Sequence, residues 1–177
     1  RLAHVSPWRT ALLLHALAAL LWIVLPASAQ TDGANASPRV YIAPISGPID
    51  LGLAPYLSRV LEEAEAAGAD AVLVPIDTPG GRLDAVLQMR DALLGSEVPT
   101  IAFVDRVAFS AGALIAIACD EIYMAPGAVM GAATPVDGAT GDAAEEKIIS
   151  AVRTTFKATA EARGRDPSWA GRSARLF

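Results

Sequence analysis

A serine hydroxyl becomes a nucleophile where a base can take its proton and donors can hold the oxyanion that its attack creates. Ser110 stands in Ala108-Phe109-Ser110-Ala111-Gly112, between an apolar run and a stretch of small apolar residues. A serine placed there opens a helix. The positive end of the helix dipole then stabilises a developing anion, and the N–H of Ala111 can donate to it. Serine is also a favoured helix N-cap, and taken alone that role is the better account of the residue. A second signal is Asp77-Thr78-Pro79-Gly80-Gly81, which follows an apolar run directly and precedes a helical pattern. Glycines let the backbone turn tightly and bring bare N–H groups to a ligand, so Gly80 or Gly81 can supply an oxyanion donor. Taken alone, an ordinary strand-to-helix turn accounts for these two glycines better.

The base follows by subtraction. Residues 1–29 hold Arg1 and Arg9, no acid, an apolar run from Ala11 to Leu25 broken by His15, and Ala27-Ser28-Ala29 before Gln30. A basic stretch, an apolar stretch and an A-x-A site in that order read as a secretory signal peptide, and the run is shorter than the roughly 20 residues of a spanning helix. Both histidines, His4 and His15, leave with it. The Ser-His-Asp arrangement then has no imidazole, and the recognised alternative is Ser-Lys. Two lysines remain, Lys147 and Lys157. Lys147 precedes Ile148 and Ile149, where burial can disfavour its charged form and make it a base. A surface lysine paired with nearby acids is an equal reading of its position. Lys157 lies ten residues on, turned away on a helix, with Arg153 and Glu161 at i−4 and i+4 as on a solvated face.

Composition excludes other classes. The processed chain carries twelve basic and nineteen acidic residues, a net −7 with no basic cluster, which disfavours nucleic acid. Without histidine and with one cysteine, Cys119, neither a zinc site nor an internal disulfide is expected, and no cofactor is.

The elements that must position these groups alternate. Thr31 to Pro38 reads as a linker, so residues 30–38 join the signal segment to a domain over 39–177. Arg39 to Ile45, Ala71 to Ile76 and Thr100 to Val104 are continuous apolar runs, expected as strands buried on both faces, and Ile122 to Met124 is a short fourth. Helices are expected over Leu53 to Ala67 with Gly68 at its end, from Leu83 to Leu94, and from Ser110 to Cys119. Thr134 to Gly141 reads as a loop. A last helix is expected from an N-cap at Asp142, with Glu145 completing a capping box and Gly164 closing it. This order predicts an α/β fold of parallel βαβ units with helices covering the sheet.

Three strings carry a resemblance: DTPGGRLDAVLQMRDAL, then VPTIAFVDRVAFSAGALIAIACDEIYMAPGAVMGAATPV, then EKIISAVRTTFKATAEARGRDP. Together, from Val40 to Pro167, they resemble the protease domain of the NfeD-family membrane-bound serine proteases of the ClpP class. The resemblance implies a ClpP/crotonase-like fold and a Ser-Lys dyad, matched by Ser110 and Lys147, 37 residues apart. It implies an oxyanion hole at Gly80, Gly81 and Ala111. It further implies apolar peptide segments of a stomatin-like membrane protein as substrate, a homo-oligomer of at least two copies and, in full-length members, membrane association; the signal segment itself implies export across the bacterial cytoplasmic membrane. Long family members continue into transmembrane helices and a small β-barrel, so a C-terminal truncation is expected here. Two other functions fit the sequence. A crotonase-like acyl-CoA hydratase or thioesterase would need a glutamate pair and a basic site for phosphates. A non-catalytic fragment that binds a membrane partner would leave Ser110 unreactive.

Overall fold

The chain divides into residues 1–37 and a compact unit from Pro38 to Phe177. The computed structural model describes residues 37–131 and 144–168. The expected signal segment, most of the linker, the Thr134–Gly141 loop, the Asp142 cap and the last residues lie outside them.

The expected order of elements is observed. Strands β1 (Val40–Ile42) and β2 (Ile45–Ser46) are followed by helix α1 (Leu53–Ala66), strand β3 (Ala71–Thr78) and helix α2 (Leu83–Leu94). Strand β4 (Thr100–Phe109), helix α3 (Ala111–Ala118), strands β5 (Glu121–Met124) and β6 (Val129–Gly131) and helix α4 (Glu146–Ala162) complete it. All pairings are parallel: β1 and β2 lie along β3, β3 along β4, and β5 and β6 along successive stretches of β4. Gly68 and Gly164 fall just past the caps of α1 and α4, as expected.

Period-two burial corrects the expectation that both sheet faces are covered. Val72, Val74, Ile76 and Thr78 of β3 and Thr100, Ala102, Val104 and Ala108 of β4 are buried. Their alternates Leu73, Pro75, Ile101 and Phe103 are only half-buried. On the edge strands, Ile42 is 61 % exposed and Tyr123 56 %. The helices line one face: α3 packs on β3 and β4, α2 lies between α1 and α3, and α4 packs on α3. The run Arg39 to Ile45 is therefore no central strand. It breaks at Ala43-Pro44, where proline offers no N–H, into an edge strand and the two-residue β2.

Helix α3 is buried along its whole length, and its small residues allow close approach to the sheet. Two arginines beyond α4 close the bottom of this layer. Arg163 donates to Ala118 C=O and Leu93 C=O, both at 2.7 Å, and pairs with Asp120 at 2.6 Å. Arg165 donates to Ile117 C=O and Asp120 C=O. The orphan carbonyls at the ends of α2 and α3 are thereby satisfied by cations, and the C-terminal half of α4 is fixed. Val152, Phe156, Thr159 and Ala160 bury that half, whereas Glu146, Lys147 and Ile148 are exposed.

Cys119 is a free, buried thiol at the end of α3. Burial pushes its pKa up to about 12 from 9.0, against smaller downward pulls from the Thr100 hydroxyl and Arg163. In the unfolded chain the thiol ionises near 9, while the folded one holds its proton to about 12. A folded-state pKa that is raised stabilises fully below the unfolded value and is lost above it. Denaturant midpoints should therefore fall as pH rises from 9 toward 12, and Cys119→Ala should flatten that fall.

Candidate active site

Two strand ends build the site. β3 and β4 run in register from Val72↔Thr100 to Ile76↔Val104, and then Thr78 pairs with Ala108. Two residues on β3 thus span four on β4. This bulge holds the exposed Asp105 and Arg106, and Arg106 pairs with Asp77 across it. The two charges ended the strand pattern early in the sequence. The bulge instead carries β4 on to Phe109 and re-aims its end, so that Ser110 arrives beside the turn after β3.

Ser110 is the N-cap of α3, with φ 51° and ψ −114°. It is the one non-glycine residue of positive φ among the described residues. Such a conformation costs of order 1–3 kcal/mol and persists where the surroundings over-determine it. Here the Ser110 N–H donates to Gly131 C=O at 2.8 Å, and its own C=O accepts from Ala113 N–H and Leu114 N–H. The side chain makes no cap bond. Its hydroxyl is half-exposed and has no hydrogen-bond partner among the described residues. A strained strand-to-helix turn that presents a serine in this way is the geometry of a nucleophile elbow.

The facing wall is the Gly80-Gly81 turn. A Cβ on Gly80, whose φ is +105°, would stand 2.7 Å from Ser110 Cβ and 3.3 Å from Ala111 N. A Cβ on Gly81 would strike the Ile49 backbone, 2.2 Å from its oxygen. Only glycine fits either position. Ile49 N–H donates to Gly80 C=O, and Arg82 N–H donates to Ile49 C=O, both at 2.9 Å. In a trans peptide the N–H opposes the C=O. With Gly80 C=O held by Ile49, the Gly81 N–H points the other way, and it has no partner among the described residues. The Gly80 N–H is engaged, donating to Thr78 Oγ1 at 3.0 Å. Ala111 N–H, in the orphan first turn of α3, is open. Of the three amides named from the sequence, Gly81 and Ala111 are free to bind an anion and Gly80 is not.

Lys147 departs from expectation. Its side chain is 78 % exposed, and Nζ pairs with Glu145 Oε2 at 2.9 Å. The desolvation expected of a base is absent in this state, and no hydrogen bond joins Lys147 to Ser110. The helix explains why. α4 begins at Glu146 rather than Asp142, so Glu145 is the N-cap instead of the third residue, and it makes no side-chain cap bond. Lys147 thus sits in an exposed first turn. Lys157 is exposed on the same helix. Thr78, Ile49 and Gly131 were not picked out from the sequence; the short apolar Val129-Met130 between glycines was the one available sign of β6 and its Gly131. Among the described residues no cluster of His, Cys, Asp or Glu could hold a metal.

The family described as "NfeD1b, N-terminal domain" matches residues 39–175. The membrane protein NfeD1b of Bacillus subtilis is 40 % identical over 167 residues, covering 94 % of this chain and 37 % of its own length. The membrane-bound protease PH1510 of Pyrococcus horikoshii is 37 % identical over 102 residues, 56 % of this chain and 23 % of its own length. This chain therefore spans little more than a third of one relative and less than a quarter of the other. A solved lysine-to-alanine mutant of the 1510-N membrane-bound stomatin-specific protease, in complex with a substrate peptide, superposes with a TM-score of 0.73 at 32 % identity, covering 78 % of this chain and 67 % of that one. ClpP1 from Listeria monocytogenes, at 22 % identity and a TM-score of 0.61 over 77 % of this chain and 79 % of its own, shares the fold. The parallel sheet and the helix layer are thus a ClpP-like arrangement, and the chain belongs to the NfeD1b N-terminal domain family.

Proposed function

We propose that this domain is a serine peptidase in which Ser110 is the nucleophile, Lys147 the general base, and the amides of Gly81 and Ala111 the oxyanion hole. One observation carries the reading. A strained serine at a helix N-terminus stands beside two unengaged N–H groups, one in the first turn of its own helix and one in a facing turn that only glycine can form. That is a preorganised acceptor for negative charge, and such donors give the largest single contribution in acyl transfer. Ser110 Oγ attacks the peptide carbonyl carbon, and its proton passes to the neutral Lys147 amine. The C–N bond then breaks, the lysine returns the proton to the leaving amine, and water hydrolyses the acyl-serine.

Lys147 must leave Glu145 and solvent to serve. The fixed half of α4 begins at Val152, so its first turn is free to be covered when a peptide binds. The Pyrococcus protease was solved with a peptide on a lysine-to-alanine mutant, which fits a lysine in that role. By the same likeness the substrate is an apolar segment of a stomatin-like membrane protein. The relatives' names support work at a membrane, and the signal-like pattern of residues 1–29 supports export to its outer side. No helix of the described residues is long and apolar enough to cross one. The half-exposed apolar sheet face supports association into at least a dimer.

The exposure of Lys147 also favours a second reading, a folded module that binds a membrane protein without cutting it. A fluorophosphonate probe separates the two. Peptide mapping should find the adduct on Ser110 in the native chain and none after heat denaturation. A folded chain that stays unlabelled, with or without apolar peptide, would leave only the binding module.

A further inference from the structure

Thr78 is fully buried, and its two branches face the two halves of the site. Its hydroxyl donates to Gly47 C=O at 2.6 Å and accepts from Gly80 N–H at 3.0 Å. Its methyl fills the space that Gly112 leaves, since a Cβ on Gly112 would stand 2.4 Å from Thr78 Cγ2. Gly112 is the second residue of the nucleophile's helix. Two successive peptides of the turn are therefore fixed from two directions. Thr78 holds the Pro79–Gly80 peptide through the Gly80 N–H, and Ile49 holds the Gly80–Gly81 peptide through the Gly80 C=O. The Gly81 N–H is what remains.

We propose that Thr78 is a positioning residue for acyl transfer: its hydroxyl locks the turn so that the Gly81 amide faces the oxyanion. The inference rests on the peptidase reading above. Glycines are permissive, and a turn of two of them samples flipped peptides unless something engages them. A flip of the Gly80–Gly81 peptide would remove a donor from the hole, and a flip of the Pro79–Gly80 peptide would shift the turn that carries it. A buried hydroxyl that both donates and accepts is suited to prevent it.

The test uses the full chain and two complementary substitutions. Thr78→Val keeps the branched shape and loses the hydroxyl; Thr78→Ser keeps the hydroxyl and loses the methyl. Fluorophosphonate labelling gives a maximal rate and a half-saturating concentration, and amide exchange by NMR reports the Gly80 N–H. Loss of one oxyanion donor costs roughly 100-fold or more in rate, so T78V should lose at least about 30-fold in maximal labelling with little change in half-saturation. T78S should recover most of the wild-type rate. The Gly80 amide should be protected in the wild type and T78S and exchange freely in T78V. If T78V fails to fold, T78S decides: a near wild-type rate with a protected Gly80 supports the lock, and a loss as large as that expected of T78V overturns it. Wild-type labelling by T78V, or a freely exchanging Gly80 amide in the wild type, refutes the lock alone. A wild type with a protected Gly80 amide but no adduct on Ser110 refutes the peptidase reading, and the role in acyl transfer with it.

Discussion

Ser110→Gly is expected to be more stable than the wild type and chemically dead. At φ 51° and ψ −114° the Ser110 Cβ crowds its own backbone, at a cost of about 1–3 kcal/mol. Glycine removes that crowding and returns about 0.5–1 kcal/mol as extra freedom of the unfolded chain. The difference leaves a net gain of about 1 kcal/mol, or roughly 3 °C in Tm for a domain of this size. Ser110→Ala keeps the Cβ and should melt with the wild type. The Ser110 N–H bond to Gly131 survives in both. Both variants should lose probe labelling and peptide hydrolysis by about 10⁴-fold or more, as removal of a serine nucleophile does. The two melts and the two rates make one result. Equal melting of the glycine and alanine variants would show that no strain is stored at this turn.

That strain was not visible in the sequence, and the reason is instructive. The pattern around Ala108-Phe109-Ser110-Ala111-Gly112 marked a strand ending and a helix starting, and both are there. What the pattern could not carry is the four-residue bulge of β4 opposite Ile76–Thr78, which decides where Ser110 arrives. A bulge has no periodicity of its own, and Asp105-Arg106 looked like a strand end because charges leave the core. Their pairing with Asp77 keeps them at the surface while the strand runs on.

The glycine turn was legible as a donor of amides and illegible as to which amide. Choosing between Gly80 and Gly81 needs the partners Thr78 and Ile49, and Ile49 is over thirty residues away. The continuous apolar runs of β3 and β4 suggested burial on both faces. One face is sealed by α3, and the other is apolar but half-open, because hydrophobicity records the tendency to be covered and not what does the covering. At α4 the helix itself and its closing Gly164 match the expectation. Its first turn does not, since a capping box written into Asp142 and Glu145 competes with a start at Glu146 that leaves Glu145 free to hold Lys147.

Lys147→Ala is expected to separate chemistry from stability more sharply than any other change in this domain. The side chain is 78 % exposed and pairs with a carboxylate that is 71 % exposed, so its removal costs the fold almost nothing, and Tm should stay within about 1 °C. If the amine is the base that takes the Ser110 proton, acylation should fall by about 10²–10⁴-fold, the range of general-base catalysis. Lys157→Ala, on the same helix and equally exposed, should change neither quantity. The comparison is strong because the resting position of Lys147 argues against it. An exposed ion pair with Glu145 is too weak to hold the side chain once a peptide covers the first turn of α4. Under the proposed mechanism the base is then assembled by the substrate, and the loss in Lys147→Ala should appear in the maximal rate with peptide and hardly in KM. Equal rates for the two lysine variants would remove Lys147 from the mechanism and leave Ser110 with its two amides but no proton acceptor.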